Sequence, residues 1–319
     1  MFTAIYKKDD RILRTTKLEK LASIDKSAIV WIDMLNANDL ERKQVEKIFQ
    51  INFENVEYAL ANEKFLKFIE IQDAVILQSH YILSDNNPDT EYKEYLASQV
   101  LKSGALISLR NNELKSFNET RKKTETNPKV FSDGFNVLIT IFEIRLGLNA
   151  NILMEIGKEI ELLGKSILKL ANVNEAMLLD ISTVQEKTMM VRENLIEYQR
   201  LFSVMFRCEQ FPRSTHARLS ILLKEIEALM QQIDFIFERL NYLQNTLMGL
   251  INLAQNNIIK IFTVFTIMFM PPTLIAGIYG MNFVAQPELK WDWGYPMSFL
   301  MMLSSSSIIY LIFRRKKWL

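Results

Sequence analysis

Cysteine is almost missing from this chain. Cys208 is the only one in 319 residues, which makes an intramolecular disulfide impossible, suits a reducing cytosol, and fits a half-buried small apolar side chain. Histidine is nearly as scarce. His80 and His216 lie far apart, with no cysteine or acid at zinc-ligand spacing, so a zinc site has no support. Nine glycines and seven prolines against 49% apolar residues argue against disorder and against a turn-rich all-β design, and a large helical share is expected. Charge of one sign is not in excess. A net charge of +1 gives no global pull toward nucleic acid or acidic substrates, so any electrostatics that matter must be local. There is no glycine loop of the kind that cradles phosphates and no Ser, His and acid constellation, so neither ATP-driven pumping nor hydrolysis is supported and the chain is not expected to be an enzyme.

Charge is wholly absent from two windows, Ile261 to Tyr279 and Tyr295 to Phe313, each nineteen residues long. Crossing the hydrocarbon core takes roughly 20 residues, so both read as transmembrane helices in a plasma or inner membrane. The first residues, "MFTAIYKK", are strand-like and contain no apolar signal-peptide core. Lys260 precedes the first window and Arg314 to Lys317, "RRKK", follow the second, whereas the connecting loop holds only Lys290 against Glu288 and Asp292. The bias of positive charge toward the cytoplasm puts both termini inside and the loop outside, and Trp291, Trp293, Tyr295 and Trp318 suit the interfacial belts.

Residues 1 to about 110 carry short β-rich runs: "FTAIYK", "AIVWIDML", "KFLKFIEI", "AVILQSHYIL" and "YLASQVLKSGALISL", the last with Ser103-Gly104 as a hairpin turn. "NDLERKQVEKIFQ" opens on an Asn or Asp cap and spaces Leu40, Val45 and Phe49 helically. This predicts a small α/β domain. The polar "NETRKKTETNP", Asn118 to Pro128, reads as a helix end and a solvated linker.

Beyond residue 130 apolar residues recur three and four apart in two long segments, 135–170 and 174–206, as a helical hairpin or bundle requires. Most of the fifteen methionines sit at such positions and read as core or lipid-facing side chains. Pro212 ends that section, and Ser214 or Thr215 is expected to cap a new helix running to about Ala276. At ~1.5 Å per residue, about 62 residues would make a rod of roughly 90 Å, able to carry a cytosolic signal into the membrane. The competing expectation is a break at "NLAQNN", Asn252 to Asn257, because adjacent asparagines are poor helix formers.

The layout expected is an α+β membrane protein: a cytosolic α/β domain (1–128), a cytosolic helical bundle and stalk (129–257), a first span (258–279), an external loop (280–294), a second span (295–313) and a basic cytosolic tail (314–319). Within the first span, Thr266, Met270, Thr273 and Gly277 recur at four, three and four residues and so share one stripe, which extends back to Phe262, Ile259 and Asn256. Hydroxyls in membrane helices also bond back to their own carbonyls, and small residues serve helix packing, so the stripe alone leaves a structural role open. If it lines a water-filled path, two spans cannot enclose that path, and several copies must surround it.

"YGMNF" at Tyr279 to Phe283, "PELKWDWGYP" at Pro287 to Pro296 and "KKWL" at Lys316 to Leu319 resemble the CorA family of magnesium channels, whose signature is a Gly-Met-Asn motif at the end of the first of two C-terminal spans. The match is dense from about Asn256 onward and weaker upstream. The resemblance implies a homopentameric funnel in the lipid bilayer, with cytoplasmic termini, passing Mg²⁺ and in some members Co²⁺ or Ni²⁺ down the membrane potential. It assigns the selectivity filter to Gly280, Met281 and Asn282. Asn256, Met270, Thr273 and Gly277 fall on positions facing the family's pore, in agreement with the stripe that also holds Thr266, while Ile259 and Phe262 would form an apolar constriction. Mg²⁺ surrenders water reluctantly, so a ring of Asn282 amides with carbonyls around Gly280 would hold its hydration shell, and Glu288 would gather cations at the mouth.

One departure limits the carry-over. The family's closed state is held by cytosolic Mg²⁺ between acidic residues of neighbouring subunits, which would make Mg²⁺ a regulatory ligand as well as the transported ion. Aligning "VWID" puts Glu57 and Tyr58 at the first of these acids, and counting back from Asn282 puts Ile221 at the second. Tyr58 and Ile221 offer no carboxylate; a register slip would instead bring Glu225 or Glu227 into place, and no regulatory metal site is assigned. Two alternatives remain: a zinc transporter of the related branch, against which Met281 counts, and a membrane-anchored helical scaffold that conducts nothing.

Overall fold

The computed structural model describes residues 2–9, 11–63, 66–71, 73–83, 92–128, 130–169, 176–281 and 287–316. In chain order the elements are β1 (Phe2–Lys8), β2 (Arg11–Thr15), α1 (Leu18–Leu21), β3 (Ile29–Leu35), α2 (Asp39–Phe49), α3 (Phe53–Asn62), β4 (Phe68–Ile71), β5 (Ala74–Leu83), β6 (Lys93–Lys102), β7 (Ala105–Arg110), α4 (Lys115–Thr126), α5 (Gly134–Lys169), α6 (Ala176–Arg207), α7 (Arg213–Tyr279), a 3-10 turn (Pro287–Lys290) and α8 (Gly294–Arg315). They form two compact units, residues 1–170 with 174–243, and residues 244–319 with 171–173. α7, at 67 residues, contributes to both. The sheet and the helices α4 to α6 thus belong to one unit, with no separation near residue 130.

In the first unit the strands form one sheet in the order β2-β1-β3-β7-β6-β5-β4. Its neighbours are antiparallel except β3 and β7, which pair in parallel from Trp31 against Leu106 to Leu35 against Arg110. β3 alternates between two covered faces, which is why "IVWIDML" reads as an almost continuous apolar run. Ile32 and Met34 join Val45, Phe49, Phe53, Val56 and Leu60 of α2 and α3 in one core. On the other face Trp31 and Tyr81 meet Phe117 of α4 at ring separations of 6.2 and 5.4 Å. The β6–β7 hairpin turns at Ser103 and Gly104, whose φ values of 53° and 77° are left-handed at both positions, as a tight two-residue turn demands. α5 begins against that turn. Gly134 N donates to Gly104 O at 2.7 Å, and a Cβ on Gly134 would fall 2.2 Å from the Leu106 nitrogen.

α2 opens with the expected cap as a full capping box, Glu41 N donating to Asn38 Oδ1 at 2.8 Å and Asn38 N to Glu41 Oε2 at 3.1 Å. Two expectations are corrected. Asn118 to Thr126 belongs to α4 and is no solvated linker: Thr120 and Thr124 are fully buried, and Arg121 pairs with Asp33 of β3. α7 begins at Arg213, so Ser214 and Thr215 lie in its first turn, where the Thr215 hydroxyl donates to the Pro212 carbonyl at 2.7 Å instead of capping. The expected continuous helix is found: α7 runs unbroken through Asn252 to Asn257, where the competing reading placed a break, and through Pro271 and Pro272 to Tyr279.

Among the described residues three helices are long and apolar enough to cross a membrane, but burial divides them. In α5 the apolar window is 67% buried within the protein, which makes it a core helix; the corresponding windows of α7 and α8 are 0% and 11% buried. A helix apolar all round and uncovered by its own chain belongs in lipid or against other copies.

Candidate functional site

The second unit consists of the end of α7, the 3-10 turn and α8. In α7, Thr266, Met270, Thr273 and Gly277 line a single groove of about 760 Å³, together with Met281 beyond the helix end and the apolar Phe265, Phe269, Leu274 and Ile278. The stripe read from spacing is therefore one continuous surface, and it reaches the second residue of the Gly-Met-Asn motif. Asn256, Ile259 and Phe262 lie further back on α7 as exposed side chains and do not line the groove.

The polar chemistry of this surface is set by how its hydroxyls are used. Thr266 Oγ1 donates to Phe262 O at 2.9 Å and Thr273 Oγ1 to Phe269 O at 2.8 Å. With each proton committed inside the helix, the lone pairs of both oxygens are what remains to face outward, so the threonines present acceptors. Acceptors suit the water shell of a cation. Gly277 adds no side chain, and a Cβ there would meet nothing within 4 Å. Packing within this chain thus does not require glycine at that position.

The helix ends tightly. Gly280 N donates to Ala276 O at 2.9 Å and Met281 N to Ile278 O at 3.3 Å. Gly280 does not adopt the left-handed conformation. Its smallness matters through a close approach, since a Cβ would sit 3.0 Å from the Ala276 oxygen. Asn282 lies outside the described residues, as do 283–286. Glu288 falls within the 3-10 turn, with its side chain outside the described part. Trp291, Trp293 and Tyr295 are 54%, 69% and 82% exposed around the start of α8, and Arg314 and Arg315 occupy its last turn, so aromatic and cationic residues bracket the uncharged segment.

One contact in this unit was not anticipated from the sequence. Ser306 Oγ on α8 donates to the Met268 carbonyl of α7 at 3.2 Å. The pair Pro271-Pro272 and the run Ser304 to Ser307 are both visible in the sequence, but their matching level is not.

The positions considered for regulation are far less site-like. Glu57 sits in α3 and pairs with Arg42 at 3.1 Å, while Tyr58 and Ile221 are exposed apolar surfaces. Glu225 is half-buried; burial, and then the nearby Glu143, hold its carboxyl above the usual range. Glu143 itself is engaged by Arg218, Nε to Oε1 at 2.8 Å and Nη2 to Oε2 at 2.7 Å. Glu227 is exposed. Among the described residues no group of three or more His, Cys, Asp or Glu side chains could hold a metal ion.

A family model described as the CorA-like Mg²⁺ transporter protein matches residues 26–315. The magnesium transport protein CorA of Wolinella succinogenes is 30% identical over 322 residues, covering 100% of both chains, and that of Campylobacter jejuni is 32% identical over 302 residues, covering 91% of both. Among solved structures, the CorA magnesium transporter of Methanocaldococcus jannaschii superposes with a TM-score of 0.84 at 20% identity, covering 100% of this chain and 99% of that one. The full-length CmaX protein superposes with a TM-score of 0.77 at 13% identity. These two share the fold from the α/β part through the long helix to the C-terminal helix.

Proposed function

The chain belongs to the CorA-like Mg²⁺ transporter family, and on that premise we propose that it conducts divalent cations, chiefly Mg²⁺, passively across a membrane as a homo-oligomer. The observation that carries the reading is the groove on α7, in which Thr266, Met270, Thr273, Gly277 and Met281 form one surface with no charge, no cover from its own chain and outward-facing acceptors. One chain cannot close a path around that surface, so symmetric copies must each turn it inward; the family resemblance makes them five. The free space beside Gly277 suits such an arrangement, because its smallness then serves a neighbouring copy or the path itself.

In this arrangement 258–279 and 295–313 cross the bilayer, 280–294 lies outside, and 1–257 and 314–319 lie in the cytoplasm. Gly280, Met281 and Asn282 form the filter, with the Asn282 amides accepting from the waters of a hydrated Mg²⁺. A neutral ring holds the ion loosely enough to release it. Thr266, Met270, Thr273 and Gly277 line the path below the filter, Asn256 its cytoplasmic end, and Ile259 and Phe262 form an apolar ring able to close it by dewetting. Glu288 raises the cation concentration at the mouth. Co²⁺ and Ni²⁺ offer hydrated ions of similar size and charge and would share the route.

The test is Mg²⁺ entry into proteoliposomes loaded with a Mg²⁺-sensitive dye, with and without an inside-negative potential. Entry should follow the potential and disappear in Asn282→Ala. Entry through the mutant at the wild-type rate would remove the filter from the motif, and entry of Zn²⁺ but not Mg²⁺ would overturn the cargo.

A further inference from the structure

α7 carries two adjacent prolines in the middle of its apolar segment. Proline has no N–H, so Pro272 cannot donate to the carbonyl four residues back, that of Met268. In hydrocarbon a carbonyl without a donor is costly, and neighbouring helices or Ser and Thr side chains are what make such prolines tolerable. Here a hydroxyl meets that carbonyl: Ser306 Oγ of α8 donates to Met268 O at 3.2 Å. Its neighbours in the serine run turn inward instead, Ser304 to Met301 O at 3.0 Å and Ser305 to Met302 O at 2.8 Å. Thr263, Thr266 and Thr273 likewise bond within α7. The one hydroxyl of this set that leaves its own helix goes to one of the two carbonyls that Pro271 and Pro272 deprive of a donor, that of Met268 and not that of Ile267.

We propose that Ser306 is a positioning residue for transport: by occupying the carbonyl freed by Pro272 it ties α8 to α7 within two turns of Met270 and Thr273, and holds straight the helix that lines the path. The proposal rests on the channel reading above. Without the bond, α7 keeps a hinge at Pro271-Pro272 with an unsatisfied carbonyl, and bent conformations gain population. With an ordinary residue at 272 the backbone supplies its own donor, and Ser306 becomes dispensable.

This makes the two positions interdependent, which a merely space-filling serine would not be. The experiment compares the wild type, Ser306→Ala, Pro272→Ala and the double variant, with Ser306→Thr and Ser306→Val as a matched pair. The readouts are thermal unfolding of the purified oligomer in detergent and Mg²⁺ entry into proteoliposomes. Ser306→Ala should lower the unfolding midpoint and change the initial rate by about threefold to tenfold, the size of a hydrogen bond between membrane helices. The double variant should match Pro272→Ala within about twofold in rate, a difference too small to carry such a bond. Thr should behave as Ser does and Val as Ala does. A Ser306→Ala protein that assembles only when Pro272 is also replaced would support the coupling equally. Equal behaviour of wild type and Ser306→Ala, or the same change with and without Pro272, would overturn the proposal. A wild type that assembles but passes no Mg²⁺ defeats the channel reading and with it the role in transport, whereas the midpoints then decide the hydrogen bond alone.

Discussion

Arg110 grips Asp33 from the adjacent parallel strand, Nε to Oδ1 at 2.9 Å and Nη2 to Oδ2 at 2.8 Å, with both side chains buried. Arg121 of α4 adds a third bond to Oδ2 at 2.8 Å, and Ser108 Oγ donates to Oδ1 at 3.2 Å. One carboxylate thus ties β3, β7 and α4 together. Replacing Asp33 by Ala leaves two cations facing each other without an anion, and breaking a buried pair in this way costs about 3–5 kcal/mol. Asp33→Ala should therefore sharply lower the thermal midpoint of the first unit, while Arg121→Ala, which leaves the Arg110 fork intact, should lower it less. Equal losses from the two would mean that Arg121, not the fork, carries the junction.

On the proposed channel reading, Gly277 separates the needs of the fold from those of transport. An added methyl meets nothing within 4 Å in its own chain, so Gly277→Ala should leave the unfolding of the chain unchanged. Several methyls projecting into a shared path would narrow it, and a barrier raised by about 1.4 kcal/mol already slows entry tenfold. Mg²⁺ influx reduced by about that factor, in a protein that elutes and melts as the wild type does, is the expected result. Unimpaired influx would take Gly277 off the path.

His80 gives the first unit a pH dependence with a definite sign. Its Nδ1 lies 3.0 Å from Glu197 Oε2, joining β5 to α6, and the same residue's carbonyl accepts from Asn194 Nδ2 at 2.9 Å and from the Tyr198 hydroxyl. The hydrogen bond to Glu197 raises the His80 pKa above its usual 6.5; burial opposes this, Glu94 on β6 adds to it and Lys67 detracts. A raised folded pKa means that the folded state holds the proton more tightly. The stabilisation is then complete below the unfolded value and is lost as pH rises through the folded one. His80→Gln should melt below the wild type at about pH 6 and approach it by about pH 9. A gap independent of pH would show that the imidazole serves there as a neutral side chain.

The legible parts of the fold were those whose signals are local. Ser103-Gly104 announces the β6–β7 hairpin because only residues tolerant of left-handed φ turn so tightly, and Asn38 with Glu41 announces α2 because the capping box lies within four residues. α3 is equally local, with Asn52 as its cap and Phe53, Val56 and Leu60 on one face, yet its ten residues are too short for the helical period to stand out. β2, "RILRT", escaped because a short edge strand carries charged residues. α4 failed for a different reason. Its polarity looked like solvent exposure, whereas Thr120 and Thr124 return their hydroxyls to the helix and Arg121 finds Asp33 at 88 residues' distance. The stripe of the candidate site could be counted out along one helix. The bond between Ser306 and Met268 could not, because it depends on the relative height of two helices, which no periodicity encodes.

Asn282→Asp tests the proposed filter most sharply, because it alters charge and leaves size nearly unchanged. In the proposed ring Mg²⁺ keeps its inner waters, so each side chain would act on the ion through one water layer and the amide would contribute a dipole only. A ring of carboxylates adds several negative charges at that distance, and even two such charges at an effective dielectric of about 20 attract a divalent ion by several kcal/mol. Occupancy should therefore saturate at lower Mg²⁺, with the half-saturating concentration falling by about tenfold or more, while exit from the deeper well becomes the slow step and the maximal rate falls. Influx measured across a range of external Mg²⁺ under a fixed inside-negative potential separates the two effects. A lower maximal rate without tighter saturation would mean that the carboxylates obstruct the path without holding the ion, and an unchanged curve would mean that position 282 never meets the hydrated ion.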